Sequence, residues 1–186
     1  MIRLRSRLSA YGRDTRGAAA AEFALWATIL IVPILSVIDA AFYVYQKMEL
    51  ELAGQAAAQA AWHLCDTTKL PAVTTCTNLV STITTAAQST SLGAGVTIPA
   101  GGVTEGYYCV TSSNTLQLVG AAGTVGTAPT TPSPNTCGTV IVGSTTAPGD
   151  YIQVQVSYTY VPVFNGVSLA ALLTTPITKT TRMRLQ

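Results

Sequence analysis

Residues 23–38 run sixteen positions without a charge, entered from a basic leader across Arg16-Gly17-Ala18-Ala19-Ala20-Ala21-Glu22-Phe23. A helix rises about 1.5 Å per residue and the hydrocarbon core of a bilayer is about 30 Å thick, so a span takes about twenty mostly apolar residues. Residues 23–38 alone fall a little short. Extended over residues 18–45 the stretch is long enough, with Glu22 just inside the near interface and Asp39 near the far one. Upstream lie Arg3, Arg5, Arg7, Arg13 and Arg16 against Asp14, half of the chain's ten Lys and Arg. That excess orients a single span with its N-terminus in the cytoplasm and everything after about residue 45 exported.

Glu22 is the informative residue, because a carboxylate near the centre of a membrane segment costs about 2.5 kcal/mol or more and usually has a partner. Cleavage after Gly17 would give Ala18 a free ammonium group and make Glu22 the fifth residue of the mature chain. A counter-charge would then be available in cis or from a neighbouring subunit. This arrangement resembles the type IV pilin class. The form G-x-x-x-x-E-F, with the following Ala24-Leu25 and an apolar run holding Pro33, is most similar to the TadE-like family of the Tad (Flp, type IVc) pilus. The resemblance is specific over about residues 13–60. It implies a minor pilin or pseudopilin in the inner membrane, with prepilin peptidase, the major and other minor pilins and the assembly machinery as partners and no cofactor. On matching positions it makes Gly17 and Ala18 the flanks of the scissile bond and Glu22, with Phe23, the subunit-docking and processing motif.

Three other readings of the stretch compete. A secretory signal wants a short apolar region and a small-residue cleavage site, and Val37-Ile38-Asp39-Ala40 fits that site poorly. An uncleaved single-pass anchor would instead carry an exported binding domain that recognises a surface or glycan. A soluble protein with a buried helix is the third, against which the length and the flanks both speak.

Only 10% of the residues are charged, against about 25% in ordinary soluble domains. Between Cys65 and Ile177 the charges are Asp66, Lys69, Glu105 and Asp150. The formal charge of +2 hides a leader at +4, five Arg less one Asp, and a remainder at −2. The basicity therefore belongs to the leader and points to no nucleic-acid partner. One histidine and few carboxylates leave little for catalysis or a small-molecule substrate, and no G-x-S-x-G, H-E-x-x-H or phosphate-loop pattern occurs. Tyr107-Tyr108 offers a sugar-stacking pair, although such pairs are usually sheet packing.

The four cysteines, Cys65, Cys76, Cys109 and Cys137, all fall on the exported side, where an even count favours disulfides. Three connectivities are possible. Pairing of sequence neighbours predicts Cys65–Cys76 with Cys109–Cys137, each loop worth about 3–4 kcal/mol in the chain-entropy account. No C-x-x-C pair exists and His63 sits two residues from Cys65, so a metal site is not expected.

The predicted fold is α+β and pilin-like: a long N-terminal helix on a small antiparallel sheet. Its parts are a leader (1–17), a membrane helix (18–45), an amphipathic continuation (46–64) and a disulfide-bonded exported domain (65–186). The helix, about 70 Å long at 1.5 Å per residue, is expected to kink at Pro33. That kink is either a proline tolerated in a membrane or a softening that lets a subunit bend into a filament. Its second half carries the stripe Leu50, Ala53, Ala57, Ala60 and Leu64, and Trp62 and His63 pack at its end. A short helix is expected within residues 72–90. Strands are expected at 96–98, 107–111, 115–119, 139–142, 151–161 and 177–185, with turns at 112–114 and 147–150 and a Pro-rich loop over 120–137. Residues 151–161 alternate most clearly, Ile152, Val154, Val156, Tyr158 and Tyr160 on one face and Gln153, Gln155, Ser157 and Thr159 on the other.

Overall fold

The computed structural model describes residues 15–186 except 66, 167 and 174. The leader up to Asp14, with Arg3, Arg5, Arg7 and Arg13, and the position of Asp66 lie outside the described residues. The chain is α+β, a long apolar N-terminal helix with a small antiparallel sheet, in two compact units. One unit is Met1–Tyr43 with Val161–Leu173; the other is Val44–Tyr160 with Thr174–Gln186.

Helix α1 runs Thr15–Leu64 with Pro33 inside it. Two short helices follow, α2 (Ala72–Thr75) and α3 (Leu79–Gln88), as the 72–90 pattern predicts. In α3 the buried Leu79, Ile83 and Ala87 recur at spacing four, one helical face, despite the low helix propensity of the intervening threonines. The strands are β1 (Val96–Thr97), β2 (Val103–Val110), β3 (Leu116–Thr124), β4 (Gly149–Tyr158) and β5 (Ile177–Arg184), all paired antiparallel. β4 is central. β2 pairs with its first half and β1 with its end, while β5 pairs along its other edge from Tyr151 to Tyr158. β3 extends the sheet beyond β2.

Alternation along β4 explains its place. Ile152, Val154 and Val156 are fully buried, and each such side chain removed from water contributes about 1.5–3 kcal/mol. The opposite face is drier than expected, with Gln153, Gln155 and Ser157 half-buried and Gln153 Oε1 accepting from Arg182 Nε at 2.8 Å.

The Val44–Leu64 part of α1 seats this sheet. Its buried positions are Leu50, Ala53, Gly54, Ala57, Ala58 and Ala61, leading to Cys65. The expected stripe through Ala60 and Leu64 is therefore corrected: both are half-buried, and the seam follows the true 3.6-residue turn instead. Close approach is the reason for the small residues. A Cβ at Gly54 would stand 2.6 Å from Thr181 Oγ1 and 3.4 Å from Val156 Cγ2. Lys179 Nζ also meets Glu51 Oε2 at 2.9 Å, and this hydrogen bond and the lysine charge hold Glu51 below the usual carboxylate range.

Other expectations are corrected as well. Residues 139–142 form no strand; a 3-10 turn, Cys137–Thr139, leads into further turns there, because a short β-branched run without a pairing edge has nothing to hydrogen-bond. β3 continues through Gly120 to Thr124, into the expected loop, with Gly120 at φ +86 and Gly123 so close to Thr127, Ala128 and Pro129 that no Cβ fits. β2 starts four residues before the expected 107, and β4 takes in Gly149 and Asp150 from the expected turn. Trp62 (46% exposed) and His63 do not pack into a core; they meet edge-to-face at 4.9 Å on the exposed end of α1.

Cys65 is joined to Cys76 and Cys109 to Cys137. The first bond ties the end of α1 to the residue after α2. The second ties β2 to the 3-10 turn in a small cluster with Val119 and Val140. Non-reducing peptide maps of the purified chain are expected to show these two linked pairs, and a Cys65–Cys109 or Cys76–Cys109 peptide would contradict them.

Candidate functional site: the apolar helix and its carboxylates

Gly17, Ala18, Glu22 and Phe23 lie in the first turns of α1, all exposed, with Phe23 at 74%. Ala18 and Glu22 are four apart, so the helix brings them to one face a single turn from each other. A group at position 18 is thereby placed in reach of the Glu22 carboxylate. Beyond them Leu25, Trp26, Ile29, Leu30, Ile31, Ile34 and Val37 are all more than half exposed, on the sides of the helix away from Val32, Leu35 and Asp39. A helix this apolar and this exposed is suited to lipid or to a bundle of like helices. Its best window has a mean hydropathy of 2.1 and none of it is buried, so among the described residues one helix is long and apolar enough to cross a membrane. The two hydroxyls in this stretch are satisfied within the helix, Thr28 Oγ1 donating to Ala24 O and Ser36 Oγ to Val32 O, both at 2.8 Å.

Asp39 was expected only to mark the far end of the span. In the structure its side chain is fully buried. Val163 N donates to its Oδ1 at 2.9 Å and Phe164 N to its Oδ2 at 3.3 Å, while Leu169 N donates to Ser36 Oγ at 3.2 Å. The helix thus holds the 161–173 segment by its backbone. The available signal was a lone carboxylate at the end of an uncharged run and, far downstream, a second uncharged apolar segment.

A second carboxyl site lies in the sheet unit. Glu105 on β2 is almost fully buried, and its two oxygens accept the Ala72 and Val73 N–H groups at 3.0 and 2.8 Å, capping α2. Asp150 on β4 sits beside it, 5% exposed. Burial first, then the neighbouring Glu105 charge and the hydrogen bond to Glu105, push the Asp150 carboxyl up to about 7 from its ordinary value of 3.8. Nothing in the local sequence points to the pair. Glu105 and Asp150 are 45 positions apart in the chain, and only the β2–β4 register brings them together.

Tyr107 and Tyr108 do not form a stacking platform. As strand neighbours they point to opposite faces; Tyr108 is buried, edge-to-face with Tyr151 at 5.6 Å and with the Arg182 guanidinium 5.4 Å over its ring. Among the described residues no group of three His, Cys, Asp or Glu is placed to hold a metal ion.

A largely exposed apolar helix that continues into an alanine-lined seat for a disulfide-bonded antiparallel sheet defines an α+β protein with a membrane-capable N-terminal helix. Its helical part is more specific: residues 17–59 match the family model described as TadE-like protein. Comparison with curated proteins and with solved structures gives no match.

Proposed function

We propose that this chain is a minor pilin or pseudopilin of a Tad-type pilus, made as a single-pass inner-membrane protein and cut by prepilin peptidase between Gly17 and Ala18. The observation that carries the reading is the TadE-like match over residues 17–59, which begins at Gly17 and covers the exposed apolar helix. The chemistry is consistent at each position. Gly17 is exposed near the start of α1, and no described atom lies within 4 Å of where a Cβ would stand. Cleavage would place the new ammonium one helical turn from Glu22, offsetting a carboxylate that is costly in the first turns of a membrane segment. The arginine-rich leader keeps the N-terminus in the cytoplasm and sends the sheet unit to the periplasm, or outside the cell in a pilus. Its role is structural, in assembly, initiation or surface adhesion.

The second reading, an uncleaved anchor for a domain that binds a surface or glycan, is favoured by one feature, a polar recess lined by Tyr107, Asn135, Asp150 and Arg184.

The N-terminal sequence and intact mass of the membrane-extracted protein, from cells with and without prepilin peptidase, separate the two. A start at Ala18 that depends on the peptidase is expected. An intact leader in both strains would leave the anchored binding domain standing.

A further inference from the structure

The segment Val161–Leu173 carries no charged residue, nor does any position between Asp150 and Lys179. Val161, Val163, Leu169 and Leu172 are all more than 60% exposed, Leu172 reaching 83%. So much apolar surface on a short loop calls for an occupant. The attachment of the loop indicates which one. If about twenty residues of α1 between 18 and 45 cross the hydrocarbon, every such window includes Ser36, and Ser36 Oγ receives the Leu169 N–H. The Asp39 bonds to Val163 and Phe164 lie one turn further out. With the uncharged run 23–38 bounded by Glu22 and Asp39 as the two interfacial carboxylates, the loop is fastened to the helix at the end of that run.

Backbone that leaves water must have its donors satisfied by protein. Here the N–H groups of Val163, Phe164 and Leu169 go to helix side chains, and Ser168 N donates to Phe164 O at 3.1 Å. Leu169–Leu172 closes as a 3-10 turn. The same bonds satisfy Asp39, a carboxylate that would otherwise be costly at this depth.

We propose that the Val161–Leu173 loop is a second lipid-contacting element, inserted with Val163, Leu169 and Leu172 into the exported-side interface of the bilayer while Asp39 and Ser36 hold it to the span. The inference rests on the single-pass reading above.

The full chain, disulfides intact, is reconstituted in vesicles of phosphatidylethanolamine and phosphatidylglycerol with an environment-sensitive fluorophore on one new cysteine. The positions are Leu172→Cys in the loop, Ile29→Cys in the apolar helix and Val142→Cys, 98% exposed, in the sheet unit. Lipids with brominated chains and aqueous iodide are the two quenchers. The expected result is a blue-shifted Leu172 probe quenched by bromolipid, as at Ile29, and protected from iodide relative to Val142. If Ile29 is quenched by bromolipid and Leu172 only by iodide, the loop proposal is overturned and the span stands. A Leu172 probe reached by neither quencher overturns it in favour of a covering protein surface, a second copy included. An Ile29 probe untouched by bromolipid removes the membrane reading itself.

Discussion

A Glu22→Ala chain is expected to insert and fold normally and to disappear from the pilus fraction. Glu22 is exposed on the first turns of α1 and its removal opens no cavity, so the change in fold stability should stay within about 0.5 kcal/mol. Insertion should become easier, since a carboxylate is removed from a membrane segment. What the variant loses is the one negative charge on an otherwise uncharged apolar helix surface, and with it the attraction to an ammonium at Ala18 of the same or an adjoining subunit. In a medium of low dielectric such a pair is far stronger than in water, so assembly should respond steeply. Immunoblots of sheared filaments against membranes measure it. Undiminished signal in the filament fraction would count heavily against the pilin assignment.

The second large effect is expected in the sheet unit. Glu105→Ala removes the acceptor of two buried N–H groups, those of Ala72 and Val73, and leaves α2 uncapped beneath the sheet. A buried N–H left without an acceptor costs about 1–3 kcal/mol, and two of them are a large share of a typical 5–15 kcal/mol. The urea midpoint of the detergent-solubilised chain should fall accordingly, and an unchanged midpoint would exclude the capping role.

Asp150 gives that unit a pH dependence of definite sign. Its folded-state pKa, about 7, is raised above the ordinary aspartate value of 3.8, so between these limits the folded chain holds a proton the unfolded chain has released. The contribution is complete below about pH 4 and is lost as pH rises through about 7. Asp150→Asn, neutral at every pH, should remove this slope and leave the variant more stable than the parent at about pH 8. Urea midpoints across that range test it, and equal slopes in the two proteins would contradict the assignment.

Features with a local period were legible in the chain itself. β4 had to alternate because one face is buried, and the residues assigned inward, Ile152, Val154 and Val156, are the fully buried ones. The apolar run after Glu22 and the length of α1 were equally plain, since a bilayer or a filament core accepts no charge in such a stretch. β2 was only half legible. Its first residues include Glu105 and Gly106, both poor strand signals, yet Gly106 is there because a Cβ would lie 2.7 Å from Leu118 Cδ1 on β3.

The sequence by itself determined the α+β order, the apolar helix with its early carboxylate and the outward split of charge, because each is written in composition or in a period of two or three to four residues. Tertiary structure alone decided the helix seam through Ala58 and Ala61, the Glu105–Asp150 pair and the anchoring of Val163 and Phe164 to Asp39. The last joins residues 124 and 125 positions apart. A hydrogen bond of that range leaves no trace in the neighbours of either partner, so it is decided only when the folded backbone brings donor and acceptor to the same place out of water.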